Sequence, residues 1–267
     1  MKSNFHELSE LSINVRKLIL EVGLNCGAPA HLGGAFSIVD ILSALYGKVL
    51  KYEYQNPESD RFILSKGHGF LALLSILHLK GLLTKEEILQ FQTNGSEFIA
   101  HPIANPQKGI ESSNGSLGQG LSFGIGIALS YKKKNKKGDI YVLLGDGECY
   151  EGSVWEAAIS ASELKLDNLF TIVDCNGYQN DGSIGNNMTY EKILDKWKAF
   201  GWNTIGCDGH NFDSILKAFK SKKNTLPTAI IAKTIKGKGI KFMENNNDWH
   251  HNRLTQKLYD EAIQDLI

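Results

Sequence analysis

The feature that most constrains the fold is an apolar, β-branched run over residues 140–144 that ends in Gly-Asp-Gly at residues 145–147. Runs of this composition form buried parallel strands. A helical pattern follows, and then a second apolar run over residues 169–173 leads into Asn176. Strand, helix and strand in this order predict a parallel sheet with polar residues at the carboxyl ends of its strands, where open α/β sheets bind ligands.

The residue types at these strand ends suit a metal ion and a phosphate. Gly145 and Gly147 let the backbone approach a bulky anion, while Asp146 and Asn176 offer the oxygen ligands that Mg²⁺ prefers. A backbone carbonyl near Tyr178 can supply a third oxygen, and the N-terminus of the following helix adds a partial positive charge. The pattern predicts a metal–diphosphate site, although a Gly-Asp-Gly on its own is more often a surface turn.

The charge balance of the chain limits its partners. Its 267 residues include 29 basic and 29 acidic side chains, so binding to nucleic acid or to a membrane surface is not expected. No run is apolar enough to span a bilayer, and the N-terminus lacks the pattern of a secretory signal. The four cysteines show no Cys-x-x-Cys spacing, which suits reduced thiols in the cytoplasm.

Strand and helix patterns alternate along the chain. Further short strands are predicted at 61–64, near 202–205 and at 229–232, with helices between them. There is no internal repeat and no linker-like segment. Residues 1–267 are therefore expected to form a single α/β domain, with a mostly parallel sheet and helices on both of its faces.

Four histidines lie in Gly- or Pro-rich loops near the ends of predicted elements: His31, His68, His101 and His250. A single histidine is more often structural than catalytic, but four in similar loops beside a diphosphate site favour a functional cluster. Imidazole donates, accepts and shuttles protons near neutral pH, which suits contact with sugar hydroxyls. His251 is interpreted as an exposed loop residue outside this group.

The motifs resemble those of the transketolase family of thiamine diphosphate enzymes. Gly-Asp-Gly followed about thirty residues later by Asn is similar to the thiamine diphosphate signature. Other segments resemble family motifs in the family's order: Ala-His-Leu-Gly-Gly at 30–34, Ser-Lys-Gly-His-Gly at 65–69, His-Pro at 101–102, Gly-Ser-Leu-Gly-Gln-Gly at 115–120 and Lys-Thr-Ile-Lys-Gly-Lys-Gly at 233–239. Leu32, Ser116 and Cys175 depart from the family pattern, which bears on loop geometry and substrate preference but removes no ligand.

The resemblance implies a role for each matching residue. Mg²⁺, with Ca²⁺ or Mn²⁺ as substitutes, would be held by Asp146, Asn176 and the carbonyl of Tyr178. Thiamine diphosphate would contact a larger set: His68, Gly115, Ser116, Leu117, Gly145, Asp146, Gly147, Glu148, Asn176 and His250.

The resemblance also implies catalytic residues, namely His31, His101, His250 and Glu151. The three histidines would contact sugar hydroxyls and assist proton transfer. Glu151, together with Glu156, would join paired active sites across a dimer interface. The alternative for both glutamates is an acidic helix start that complements the helix dipole.

The implied reaction transfers a two-carbon ketol unit from a ketose or ketose phosphate to an aldose or aldose phosphate. Because the chain stops where the family's first domain stops, we expect the N-terminal subunit of a split transketolase. A separate C-terminal subunit would carry the pyrimidine-binding domain, in an α2β2 heterotetramer. Two alternatives stay open: a subunit of another thiamine diphosphate enzyme, such as a deoxyxylulose-phosphate synthase-like enzyme or a 2-oxoacid dehydrogenase, and a non-catalytic, cofactor-binding regulatory protein.

Overall fold

A computed structural model describes residues 5–53 and 55–267 of the chain. Within these residues lie seven strands: β1 Arg61–Leu64, β2 Ile140–Gly145, β3 Leu169–Cys175, β4 Tyr178–Gln179, β5 Gly182–Ser183, β6 Asn203–Asp208 and β7 Thr228–Lys233. Five of them form one parallel sheet in the order β1-β2-β3-β7-β6, and β4 pairs with β5 in a small antiparallel hairpin. The sheet confirms the predicted α/β class, and each predicted strand is present.

Ten α-helices surround the sheet in the described parts of the chain: α1 His6–Asn25, α2 Gly33–Phe36, α3 Val39–Ala44, α4 Phe70–Leu79, α5 Lys85–Leu89, α6 Gly120–Lys133, α7 Gly152–Glu163, α8 Tyr190–Ala199, α9 Phe212–Phe219 and α10 Gln256–Gln264. A π-helical turn follows α3 at Leu45–Val49, and 3-10 turns lie at Gly67–Gly69, Pro106–Lys108, Gly147–Tyr150 and Asn247–His250. Three of these 3-10 turns carry predicted site residues. None of the described helices is long and apolar enough to cross a membrane.

Two hydrophobic clusters cover the two faces of the sheet. Successive strand residues point to opposite faces, so Tyr141 and Leu143 join one cluster, with α1, α3 and α4, while Ile140 and Val142 join the other, with α6 and α7. Helices therefore lie on both faces, as predicted. Burial from both sides is the reason that the strands read as continuous apolar runs.

The strand register brings the predicted motifs to one edge of the sheet. Leu64 pairs with Leu143, Gly145 with Asp174, and β3 ends beside Lys233. Because all these strands are parallel, the loops that follow β1, β2, β3 and β7 leave the same edge. These loops contain the Gly-rich motifs at 65–69, 145–147 and 233–239, so the topology gathers them into one site, while the motif at 30–34 follows α1 and runs into α2.

Candidate functional site

A buried carboxylate, Asp174, lies at the base of the site. It accepts hydrogen bonds from Ser37 Oγ at 2.6 Å, Lys66 Nζ at 2.5 Å and Asn176 Nδ2 at 2.9 Å, and a further one from Thr234 Oγ1. Burial by itself raises the pKa of Asp174, but the charge of Lys66 and these hydrogen bonds outweigh that effect and hold the pKa below its ordinary value. Asp174 is therefore ionised and ties four segments of the chain together.

Asp146 follows β2 and is 2% exposed. Its Oδ1 accepts the N–H of Gly147 at 2.8 Å, and its Oδ2 accepts the N–H of Gly177 at 2.7 Å. Burial and the nearby charge of Asp174 nevertheless raise the pKa of Asp146 to about 7. A cation bound here would lower that pKa again because it favours the charged carboxylate.

The loop after β3 places the other two predicted metal ligands beside Asp146. The bond from Gly177 joins this loop to the Asp146 carboxylate, and Asn176 Oδ1 accepts the N–H of Tyr178 at 3.0 Å. No group of three or more His, Cys, Asp or Glu side chains in residues 5–53 and 55–267 is arranged to hold a metal ion by itself. A cation at Asp146 therefore requires oxygen atoms from backbone, amide and ligand.

A second buried ammonium group belongs to Lys236, which is 1% exposed. Its Nζ lies 2.9 Å from Nδ1 of His250 and donates to Oδ1 of Asn247 at 2.7 Å. It forms no ion pair with a carboxylate in the described residues. Burial and the charge of Lys66 lower the pKa of Lys236 to about 8. This ammonium lacks the counter-ion that a bound anion would supply.

A polar network holds the residues on either side of the buried lysine. The Arg16 guanidinium contacts both oxygens of Asp40, at 3.0 and 2.8 Å, and Asp40 Oδ2 lies 2.7 Å from Nδ1 of His210. Nε2 of His210 accepts the N–H of Ile235 at 2.9 Å, and Arg16 Nε donates to the carbonyl of Lys238 at 3.0 Å. The backbone of this segment is thus fixed by side chains from α1, α3 and the loop after β6.

Five imidazoles surround the opening above these charges. The ring centroid of His31 lies 5.9 Å from that of His68, 5.3 Å from that of His101, 5.5 Å from that of His250 and 4.5 Å from that of His251. The structure brings together all four histidines that the sequence grouped. His251 is an exposed loop residue, as interpreted, but its exclusion from the group is wrong, because its ring lies closest to that of His31.

Four of the clustered histidines, His31, His68, His101 and His250, are neutral at pH 7. Burial, followed by the charges of neighbouring histidines, lowers the pKa of His31 to about 3. Burial and the charge of Lys236 lower the pKa of His250 to about 4. Burial also lowers the pKa values of His68 and His101. A neutral imidazole offers one donor and one acceptor, which suits a hydroxyl ligand.

Most rings in this cluster have no hydrogen-bond partner within the described residues. His250 contacts Lys236, whereas the other four rings make no hydrogen bond, and Nδ1 of His31 is fully enclosed. Outside the cluster, His78 bonds a carbonyl and His210 bonds at both nitrogens. Because buried polar groups are usually satisfied, the free nitrogens point to a ligand with polar groups.

Two glycines at the start of α2 make this close arrangement possible. A Cβ atom on Gly34 would lie 2.9 Å from Cδ2 of His68, and one on Gly33 would lie 2.9 Å from the carbonyl oxygen of Trp249. Both separations are shorter than real Cβ contacts, so a larger residue would displace His68 or the 3-10 turn at Asn247–His250. The Gly-Gly pair after His31 is therefore a requirement of the site.

Glu148, which the resemblance predicts to contact the cofactor, is held by hydrogen bonds from the surrounding loops. Glu148 is 1% exposed, and its carboxylate accepts Ser65 Oγ at 2.5 Å and the N–H groups of Gly118 and Gly145 at 2.8 and 3.1 Å. These bonds join the loops after β1 and β2 to the turn before α6. The Glu148 side chain thus holds the surrounding loops in place, and its contact with the cofactor stays a prediction.

The remaining predicted residues lie at the rim of the site. Gly115 borders His101, since a Cβ atom added to it would lie 3.8 Å from that side chain, and residues 115–117 are exposed or partly exposed. Glu151 directly precedes α7 and Glu156 lies within it, both exposed. These positions are compatible with contact to a cofactor and to a second chain, and both roles stay predictions.

Three charged residues of the site were missed in the sequence: Lys66, Asp174 and Lys236. Each lies inside a Gly-rich motif or directly at a strand end, and charged side chains at such positions were the available signal. Lys66 and Asp174 are fully buried as an ion pair, which sequence patterns do not reveal.

The two incompletely paired groups have complementary needs. The Asp146 carboxylate would be stabilised by a cation, and the Lys236 ammonium by an anion; the Nζ atom of Lys236 lies 5.6 Å from the ring of Tyr178 on the loop beside Asp146. A divalent cation bound to a diphosphate satisfies both in one ligand. The residues present therefore fit a metal–diphosphate group.

Fold and site together define an α/β domain of the thiamine diphosphate-binding class. Residues 12–265 match the family described as transketolase, thiamine diphosphate binding domain. The chain belongs to the transketolase family.

Similar chains include separate subunits. The chain is 39% identical over 257 residues to a 6-deoxy-6-sulfo-D-fructose transketolase subunit of Clostridium. The alignment covers 94% of this chain and 93% of that subunit. It is 37% identical over 256 residues to an apulose-4-phosphate transketolase subunit of Phocaeicola vulgatus, with 94% and 90% coverage.

Among solved structures, the transketolase of Campylobacter jejuni superposes with a TM-score of 0.87 at 30% identity. The match covers 97% of this chain but only 42% of that transketolase. The chain thus spans about two-fifths of the solved enzyme and nearly the full length of the two subunits.

Proposed function

We propose that this chain is the thiamine diphosphate-binding subunit of a two-chain transketolase, which acts with a separate subunit carrying the pyrimidine-binding domain. The observation that carries the proposal is the complementary pair of buried charges, Asp146 and Lys236, beneath a cluster of neutral histidines. The similarity to relatives that are themselves named subunits supports the division into two chains.

In this proposal the base of the site holds the cofactor. Asp146, Asn176 and the carbonyl of Tyr178 would hold Mg²⁺, and Lys236 and His68 would bind the diphosphate oxygens. When bound, thiamine diphosphate supplies the electron sink for cleavage of the bond between C2 and C3 of a ketose. The protein's own contribution is to position that group and to neutralise its charge in a site shielded from water.

The histidines would bind the sugar. His31, His101 and His250 have free or partly free ring nitrogens, and being neutral they can accept a proton from one hydroxyl and return it to another oxygen. Nδ1 of His250 already lies 2.9 Å from the Lys236 ammonium, so its Nε2 is the nitrogen available to substrate. Gly115 to Leu117 would border the cofactor ring at the rim.

The proposed assembly is an α2β2 heterotetramer in the cytoplasm. Glu151 and Glu156 are exposed at the start of α7, where they can reach a second chain across a dimer interface. The equal numbers of acidic and basic residues favour sugar substrates over nucleic acid or membrane partners. Donors would be ketoses and acceptors aldoses, with or without a phosphate.

The experiment is to purify the chain from its own cells with whatever stoichiometric partner accompanies it. The complex should transfer labelled carbon from D-fructose 6-phosphate or D-xylulose 5-phosphate to an aldose, in the presence of thiamine diphosphate and Mg²⁺, and the isolated chain should not. Binding of the cofactor without any transfer would instead support a non-catalytic, cofactor-binding protein. No partner and no binding would refute the proposal.

A further inference from the structure

We propose that His251 is a specificity-determining residue of the transfer reaction, whose imidazole hydrogen-bonds a sugar hydroxyl group remote from the reacting carbon. The inference rests on the proposed function, because it assigns a task to one residue of the same site. Three observations carry it: the backbone bridge that places the ring beside His31, its place at the outside of the site, and its lack of a hydrogen-bond partner within the described residues.

The position of His251 is set by the backbone. The N–H of Ala30 donates to the carbonyl of Asn252 at 2.9 Å, and the N–H of Asn252 donates back to the carbonyl of Ala30 at 3.1 Å. His31 and His251 each adjoin this two-residue bridge, and their ring centroids lie 4.5 Å apart. The bridge therefore fixes the backbone beside both imidazoles.

Burial decreases stepwise from the base of the site to His251. The side chains of Lys66 and Asp174 are 0% exposed, and Lys236 is 1% exposed. His31 and His250 are partly buried, whereas His251 is exposed. The part of a substrate that lies outermost in the site would therefore be the part beside His251.

Both ring nitrogens of His251 are available. No hydrogen bond or ion pair reaches its ring in the described residues, in contrast to His210, which is bonded at both nitrogens. Imidazole nitrogens can donate or accept a hydrogen bond, and a hydroxyl group can do both. A phosphate or other anionic group at the end of the substrate only accepts hydrogen bonds, so it would use only the donor capacity of the ring. The match is therefore to a sugar hydroxyl.

The test compares variants of the chain in complex with its partner. His251→Ala removes the hydrogen bond, and His251→Asn retains a donor and an acceptor of similar reach. The donor is D-fructose 6-phosphate, and the acceptors are the two-carbon glycolaldehyde and the longer D-ribose 5-phosphate. We expect His251→Ala to raise KM for D-ribose 5-phosphate about tenfold with little change in kcat, while glycolaldehyde kinetics are unchanged.

Two controls separate a specificity role from a structural one. His251→Asn should restore most of the loss, and thiamine diphosphate affinity and thermal stability should be the same in all variants. His6→Ala, which removes an exposed histidine far along the chain from the cluster, should leave every parameter unchanged.

Each remaining outcome overturns the inference. An equal rise in KM with both acceptors, or no rise with either, would show that His251 does not distinguish long sugars from short ones. Better rescue by His251→Lys than by His251→Asn would assign the contact to an anionic tail instead of a hydroxyl. If the wild-type complex transfers no carbon from any ketose, the proposed function fails together with the inference; if it is active and His251→Ala is indistinguishable from it, the inference fails alone.

Discussion

Two clusters of buried charges meet at residues 235–238. Only one of them has all of its charges paired within the described residues. In the first, Arg16, Asp40 and His210 satisfy one another and the backbone around them. In the second, Lys236 has no carboxylate partner, and Asp146 has a pKa raised to about 7 by burial and by the charge of Asp174.

The difference in pairing separates charges that stabilise the fold from charges that are suited to binding a ligand. Burying an ion is costly unless it is paired, and a completed pair offsets that cost. The second cluster holds two charges whose cost is not offset within the described residues. A ligand that supplies the missing charges would bind the folded chain and stabilise it through that binding.

Removal of the metal-binding carboxylate should give the largest effect. We expect Asp146→Asn to lower transfer activity at least about 100-fold, because the proposed cation loses its only charged protein ligand. The unliganded chain should be as stable as the wild type or more so, since a buried carboxylate with a raised pKa is removed. Steady-state kinetics and urea unfolding measure the two effects, with Asp195→Asn on α8 as an exposed control.

Removing a carboxylate from the cluster of Arg16, Asp40 and His210 should instead lower the stability of the unliganded chain. Asp40→Asn leaves the Arg16 charge buried without its partner, so we expect the free energy of unfolding to fall by about 3 kcal/mol. Asp213→Asn, which breaks an exposed pair with Lys217, should cost less than about 0.5 kcal/mol. Urea unfolding of the unliganded chain measures both, and equal small losses would contradict the contrast between the clusters.

Neutralising the unpaired ammonium should affect binding more than folding. We expect Lys236→Met to weaken thiamine diphosphate binding about 10- to 100-fold, while the stability of the unliganded chain is unchanged or increased. Lys238→Met, at an ammonium paired with Glu244, is the matched control and should retain wild-type affinity. Calorimetric titration decides the matter: undiminished affinity in Lys236→Met would remove the anion-binding role.

Acid should remove the stabilising contributions of the clustered histidines and of Asp40 in separate pH windows. His31 and His250 have folded pKa values of about 3 and 4, below the ordinary 6.5, so the unfolded chain binds more protons and stability is lost as pH falls from 6.5 towards those values. Asp40 loses its contribution between 3.8 and about 2, because hydrogen bonds from His210 and Arg16 outweigh its burial and lower its pKa.

At pH 5.5 each of the two histidines should cost about 1 kcal/mol or less, allowing for partial exposure. Urea unfolding at a series of pH values measures this slope. His31→Asn should flatten the slope between pH 6.5 and 4 and leave the lower window unchanged, and an unaltered slope in that variant would contradict the assignment.

The sheet and the position of the site were predictable because they depend on local patterns. The apolar runs at 140–144 and 169–173 are buried on both faces, and parallel strands bring the loops that follow them to one edge. His68 and His250 meet there for the same reason, since they lie in the loops that follow β1 and β7. Their neutrality is a consequence of burial, which the sequence does not show.

The missed residues depend on pairings between distant segments. Asp174 meets Lys66 and Thr234 only in the folded chain. His251 joins the cluster through the backbone bridge between Ala30 and Asn252. Sequence periodicity carries no information about which polar groups will meet.

The most direct test of a site with complementary charges is calorimetric titration of thiamine diphosphate into the purified complex, with Mg²⁺ and then with EDTA. We expect binding to be at least about tenfold tighter with Mg²⁺, and Asp146→Asn to abolish that difference. Equal affinity with and without the metal in the wild type would contradict the assignment of Asp146 and Lys236 to one metal–diphosphate ligand.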